Sequence, residues 1–407
     1  MNLSILNPLS RKSNANSQSG SLPILIGALW VCLLALGLGK QFGIDPNRFF
    51  LWGSVLLEAL TVAVWLSRPK KRENPAASNK DGLSSKLLMV LGIIFQVVSV
   101  WASGTGLGEL WTLGFVIAAG VTISVTVPLN QTLKVLPLIG FMILTISWIL
   151  EFTSISNRSF ISGYSINPLG YRFMGIMAHP NLMGFLAILT LALYLSKEKP
   201  NWWIISFTSL TLLATEYRGG IVAALIVFMA FMSTRKIRYK GIVMAIGAIV
   251  TLFMLVVISR PRTNEADSLT GRSQIWTICQ NLIMSKPIFG SGPRTIEKLY
   301  GSDTVEWFRP FHCHNQLLDD LTNFGIVGGL FTICGLLVFA ITQFRRKNYQ
   351  LAFAFLSILV CGLFESPVRY FSPSGYLFIP AFTLICIFGR LVQPETDSQK
   401  LKNERQV

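Results

Sequence analysis

Histidine is the scarcest useful residue in this chain, with three among 407. All three fall in two short segments, Ala178-His179-Pro180-Asn181 and Phe311-His312-Cys313-His314-Asn315. Imidazole is the side chain whose ordinary charge change lies near neutral pH, so a proton-transferring group has few other candidates here. Charge is scarce too. Charged residues make up 13% of the chain, whereas hydrophobic residues reach 52% and mean hydropathy is +0.54. That balance excludes a soluble domain of this length and exceeds what one or two anchors would need. Motifs for hydride or phosphate transfer are missing, as is an ATP-binding glycine loop. The spacing of His312-Cys313-His314 is not one of the common zinc patterns, although His179, Asp319 and Asp320 stand as further ligand candidates, and no second cysteine pair supports a metal site.

What the chain has instead is a succession of apolar stretches. Crossing a bilayer core takes roughly twenty apolar residues. About twelve stretches approach this, some of them short: 22–39, 49–67, 87–103, 111–129, 135–152, 181–196, 201–217, 219–233, 241–259, 321–343, 351–364 and 375–390. The first follows a polar stretch and lacks a small-x-small cleavage site, so it is expected to stay in the mature chain. Lysine and arginine recur on alternate connections: at 11–12, 68–86, 134, 197–199, 235–240, 345–347 and from Arg390 onward. Cytoplasmic loops retain such cations during insertion. The expected fold is therefore all-α, a polytopic integral membrane protein of about twelve transmembrane helices with both termini cytoplasmic. The net charge of +16 then reflects topology and not nucleic-acid binding.

The cations left on the other side are mostly arginines: Arg48, Arg158, Arg172, Arg218, Arg260, Arg262, Arg272, Arg294, Arg309 and Arg369, against Lys40, Lys286 and Lys298. A guanidinium donates in pairs to phosphate or carboxylate and tolerates partial desolvation, which suits an anionic ligand at a membrane surface. Interfacial snorkelling is the plainer reading for any one of them. One large extracytoplasmic loop, at about 260–315, dominates this side. Within it Ile275, Trp276, Cys279, Leu282 and Ile283 recur at helical spacing, predicting an amphipathic helix from Arg272 to Ser285. Lys286-Pro287 ends that helix and Gly290-Ser291-Gly292-Pro293 makes a tight turn. Cys279 and Cys313 share the loop and would pair in an oxidising compartment if the fold brings them together.

Four separated signatures stand in order between Phe173 and Phe344: Ala178-His179-Pro180-Asn181-Leu182-Met183-Gly184; Glu216-Tyr217-Arg218-Gly219-Gly220; Gly271-Arg272-Ser273-Gln274-Ile275-Trp276 followed by Lys286-Pro287-Ile288-Phe289-Gly290-Ser291-Gly292; and His314-Asn315 with a short segment before Gly325-Ile326-Val327-Gly328. Together they resemble the O-antigen ligase and polymerase superfamily of bacterial membrane enzymes. The resemblance implies a metal-independent glycosyltransferase that needs no cofactor. Its donor would be a glycan on undecaprenyl diphosphate and its acceptor a hydroxyl of lipid A core or of a growing glycan chain. The reaction would run at the outer face of the bacterial cytoplasmic (inner) membrane, facing periplasm or exterior, among membrane lipids and without nucleic acid. The implied organisation is a cytoplasmic tail at 1–21, transmembrane helices over 22–172, a catalytic region over 173–344, further helices over 345–391 and a tail at 392–407.

By the same resemblance His314 is the general base, and Arg218 and Arg272 hold the diphosphate. His179, Asn181, Asn315, His312, Arg172 and Arg294 are expected around the substrate. A single base with no nucleophilic carboxylate in view points to inversion at the sugar. Plainer readings stand beside these. Asn315 can start a helix, and His179 before Pro180 can be an N-terminal turn residue. Arg218 can be an interfacial anchor. Arg272 would begin a helix at its positive end, where a cation is disfavoured unless an anion accompanies it. The rival class is a transporter or polysaccharide-assembly component. It would need ionisable groups along its spans, but Glu58 is the one acid well inside a stretch, while Glu151, Glu216 and Glu365 sit at outer ends.

Overall fold

The computed structural model describes residues 83–103, 129–153, 171–177, 179–235, 240–259, 272–300, 312–371 and 378–389, with isolated positions at 169 and between 110 and 124. The regular elements there are helices: α1 (Leu83–Ala102), α2 (Leu129–Phe152), α3 (Pro180–Leu195), α4 (Trp202–Thr215), α5 (Arg218–Thr234), α6 (Lys240–Ser259), α7 (Arg272–Ser285), α8 (Thr295–Tyr300), α9 (Gln316–Arg345), α10 (Tyr349–Gly362) and α11 (Phe378–Phe388). The all-α expectation holds for these residues. The apolar stretches at 87–103, 135–152, 181–196, 201–217, 219–233, 241–259, 321–343 and 351–364, and the described part of 375–390, lie on helices whose bounds fall close to the expected ones. Those at 22–39 and 49–67 lie outside the described residues, and that at 111–129 is described at isolated positions. α2 and α9 are long and apolar enough to cross a membrane; α3, α4, α5 and α10 are shorter apolar helices.

α3 forms the centre. Every one of its residues from Pro180 to Leu195 is buried, as expected of a helix apolar on all sides. α2, α4, α5 and α10 pack around it, while α9 lies between α1 and α10 and also receives α7. Outward-facing side chains such as Ile149, Leu210, Leu213 and Leu337 are exposed, the pattern of a bundle whose rim meets lipid.

α9 is broken where a span would ordinarily be continuous. Gly325 adopts φ 65° and ψ −168°, a combination available essentially to glycine. The backbone groups this break frees are satisfied by the turn after α7. Ile326 N donates to Pro287 O at 2.8 Å and Val327 N to Ile288 O at 3.3 Å, while Ser291 N and Gly292 N donate to Thr322 O and Asn323 O at 2.8 and 2.9 Å. From α1, Ser99 Oγ donates to Phe324 O at 2.9 Å. Broken backbone at membrane depth persists when protein re-pairs it. The Pro-x-x-Gly-x-Gly turn and the glycine after His314-Asn315 are thus one joint, and it fixes where the N-terminal part of α9 points.

Candidate active site

Five chain segments deliver polar side chains to one end of the bundle: the turn before α3, the starts of α5, α7 and α9, and the turn after α10. The turn before α3 and the starts of α7 and α9 meet at Glu365, fully buried just beyond α10. Its Oε1 accepts from Asn181 Nδ2 at 2.7 Å and from Arg272 Nη2 at 3.2 Å. Its Oε2 lies 3.1 Å from His314 Nδ1 and 3.5 Å from His312 Nε2. Burial on its own would raise this carboxyl, but His314, His312 and Arg272 outweigh it and hold the group well below the usual carboxylate range. Glu365 is therefore held as the carboxylate.

That anion sets the histidine tautomers. His314 turns Nδ1 to the carboxylate, so Nδ1 is the nitrogen that donates there and Nε2 is the one left towards the opening. His312 accepts the His314 backbone N–H on Nδ1 at 3.1 Å, leaving Nε2–H directed at Glu365. Burial, then His314 and Arg369, push His312 well below the ordinary histidine range, so it is a neutral hydrogen-bond donor and not the partner of an ion pair. The imidazoles lie 4.1 Å apart. His314 holds a left-handed backbone, φ 49°, costing on the order of 1 kcal/mol for a residue with a Cβ. Its side chain is a quarter exposed and that of His312 is 8% exposed, so His314 is the ring a substrate can reach.

Arg272 opens α7, the helix expected from spacing, and its required anion is Glu365. Arg218 opens α5 at the same end, half-buried, after the left-handed cap Glu216 and the N-cap Tyr217. Arg172 donates through Nη2 to Asn181 Oδ1 at 2.7 Å and through Nε to Thr215 O at 3.1 Å. Asn181 therefore spans from Arg172 to Glu365, with both ends of its amide in use.

Three expected substrate contacts are engaged elsewhere. Asn315 caps α9, its Oδ1 accepting from Leu318 N and its Nδ2 donating to Leu363 O, each at 3.1 Å; a capping side chain oriented from both ends has little left for a ligand. His179 is the N-cap of α3 and accepts Asn181 N on Nδ1 at 3.1 Å. Arg294 pairs with Glu297, not Glu365, beside a cavity of about 10 Å³ bordered by Asp319, Asp320, Asn323 and Arg369.

Burial, followed by the nearby Arg172, lowers His179 to about 4. The unfolded imidazole gains its proton near pH 6.5. Between these values the unfolded chain binds the extra proton, so stability falls as pH falls through that interval. Wild type should therefore lose melting temperature between pH 6.5 and 4 more steeply than His179→Asn, which retains a capping side chain without titrating. Equal slopes in thermal denaturation of the two membranes-extracted proteins would dismiss the assignment.

His312, His314 and Glu365 present nitrogen and oxygen atoms within 4.8 Å of one another, a set that can be drawn around a divalent ion. Cys313 is in a disulfide with Cys279 and is lost as a ligand. The two imidazoles turn N–H groups to a carboxylate that also holds Arg272, and a dication there would face the guanidinium at close range. Full activity after prolonged EDTA treatment is the expected result; loss restored by one added metal would reverse it.

Sequence reasoning missed Glu365 as the hub and counted it among acids at span ends. Its signal was there: a carboxylate next to a long apolar stretch demands a paired cation or donor.

The fold and site define a helical protein with an acid–histidine–arginine cluster at one end of an apolar bundle. Residues 203–333, about a third of the chain, match the family model described as O-antigen ligase. The match includes Arg218, Arg272 and His314. Among curated proteins nothing matches the chain. The match supports glycan transfer in general, and the apolar helices around it suit a membrane setting.

Proposed function

We propose that this protein transfers or polymerises a glycan carried on undecaprenyl diphosphate, with His314 as general base. The observation that carries this reading is the His314 Nδ1 to Glu365 contact of 3.1 Å with Arg272 on the other carboxylate oxygen. The acceptor hydroxyl, on lipid A core or on a growing chain, gives its proton to Nε2 of His314 as its oxygen bonds to the anomeric carbon. The bond from that carbon to the diphosphate oxygen breaks, and the electron pair leaves with the diphosphate. Glu365 stabilises the imidazolium that forms. Arg272 and Arg218 neutralise the leaving oxygen, a kind of preorganised electrostatic help that is often the largest single contribution to catalysis.

Glu365 is covered by Asn181, Arg272 and both histidines, so it is not presented as a nucleophile to a sugar. A single displacement with inversion follows. The disulfide beside His314 supports placing this end of the bundle in the periplasm or cell exterior, because such bonds persist in oxidising compartments.

The test is glycan output on gels from a strain lacking the gene, complemented with wild type, His314→Ala, Arg218→Ala or Arg272→Ala at matched membrane levels. All three variants should resemble the empty vector. Long chains missing while single repeats remain identifies a polymerase; full chains stranded on the lipid carrier identify a ligase. Normal glycan from His314→Ala would end the base assignment and favour a transport or assembly role.

A further inference from the structure

Cys279 and Cys313 are joined by a disulfide with Cα atoms 6.4 Å apart, across 34 residues. Its position relative to the cluster is what gives it meaning. Cys313 lies between His312 and His314, and Cys279 lies two helical turns after Arg272 on the same face of α7. That face makes three attachments. Arg272 reaches Glu365, Trp276 Nε1 donates to Cys313 O at 2.9 Å, and the Cys279 sulfur is bonded to that of Cys313. On its other side Cys313 N donates to Asp319 Oδ1 at 3.0 Å, inside the first turn of α9.

The apolar support for this arrangement is small. α7 buries Ile275 and Cys279, which with Ile296 and Cys313 form a cluster separate from the main core. Without the covalent bond, the indole hydrogen bond, the Thr322 Oγ1 to Cys279 O contact at 3.5 Å, the shared pairs to Glu365 and a few apolar contacts would hold this end of α7 to the segment carrying His314. The four backbone bonds of the Gly325 joint lie beyond the far end of the helix. The left-handed backbone of His314 also has to be maintained by its surroundings.

We infer that the Cys279–Cys313 disulfide is a positioning cross-link that makes glycan transfer dependent on oxidation, by holding the His314 segment in register with Arg272 around Glu365. This rests on the glycan-transfer reading above. The bond forms by thiol–disulfide exchange with a protein disulfide of the oxidising compartment. The two cysteine thiols lose two electrons and two protons, and the exchange partner becomes a dithiol. Dithiothreitol reverses the step, closing its own ring as the two thiols return. A chain whose outer loop has not met that oxidant, or whose bridge is reduced later, keeps its fold and lacks an aligned base.

The experiment uses full-length protein in nanodiscs with a lipid-diphosphate-linked glycan donor and its acceptor. Wild type is compared before and after dithiothreitol, with reduction followed by the mass of maleimide added to the two new thiols. Cys279→Ala/Cys313→Ala is assayed in parallel, and melting temperature is measured for every sample. Reduction is expected to lower kcat by roughly ten- to a hundred-fold with little change in KM, since small misplacement of a catalytic group costs rate before binding. Reoxidation should restore it. The double variant should start at the low kcat and ignore dithiothreitol. Cys334→Ser, on α9 outside the bridge, should behave as wild type. Unchanged kcat in protein shown to be fully reduced would overturn the proposal. If the buried bond resists reduction, a folded double variant with wild-type kcat would do the same. Failure of oxidised wild type to transfer glycan would instead count against the function proposed above.

Discussion

Glu365→Gln is expected to remove glycan transfer while leaving a protein of the same size in the membrane. Glutamine is nearly isosteric, but its amide offers one acceptor atom where the carboxylate offers two oxygens to Asn181, Arg272, His312 and His314. An amide N–H facing His314 would draw the lone pair of Nδ1 and turn the proton onto Nε2, the atom that must be basic. The wrong tautomer and an unsupported imidazolium together justify a loss on the order of a thousand-fold or more, comparable with losing the base itself. Arg272 loses its anion too, and breaking a buried pair by removing one partner costs about 3 to 5 kcal/mol. Glu365→Asp separates these effects, because it keeps the charge and shortens the reach. It should retain more of the melting temperature than Glu365→Gln while still losing most of kcat. Transfer by Glu365→Gln within a few-fold of wild type, at matched membrane levels, would remove Glu365 from the mechanism.

Gly325→Ala is the second large effect, and it acts on the fold. A Cβ at this position would lie 2.6 Å from Gly290 N and closer still to Ile288 O. Both are backbone atoms of the turn that repairs the break in α9, so neither can rotate away. The φ of 65° adds strain for any residue with a side chain. Together these point to a loss of about 3 to 5 kcal/mol, at the high end for one substitution. The measurable outcome is low membrane abundance or a melting temperature reduced by several degrees. Gly290→Ala should show the same phenotype, since its Cβ would meet the backbone of residues 323–325. The double variant should then lose less than the sum, because both changes break one joint. A Gly325→Ala protein with wild-type melting would mean that the kink can straighten.

Much of the helical framework was legible without coordinates. Apolar runs at 135–152 or 181–196 contain few alternatives to a helix when backbone groups must find partners inside the segment. The positions of Arg218, Arg272 and His314 were legible for a different reason, because each stands in a compact local signature. Asn315 and His179 show the limit of that reasoning. Both are polar residues next to catalytic candidates, and both serve as helix caps. A cap and a ligand contact call for the same residue types, and only the direction of the side chain distinguishes them.

The amino-acid sequence by itself determined an apolar all-helical chain, the three histidines available as bases and the arginines available as an anion clamp. These follow from composition, from periodicity and from contacts between near neighbours. The tertiary structure decided which of those groups meet. Glu365 is 51 residues from His314 and 184 from Asn181, and Cys313 could choose its sulfur partner only when α7 lay beside α9. A buried carboxylate must gather donors from wherever the packing supplies them, so the centre of the site depends on which helix ends converge, a property that no local stretch of sequence contains.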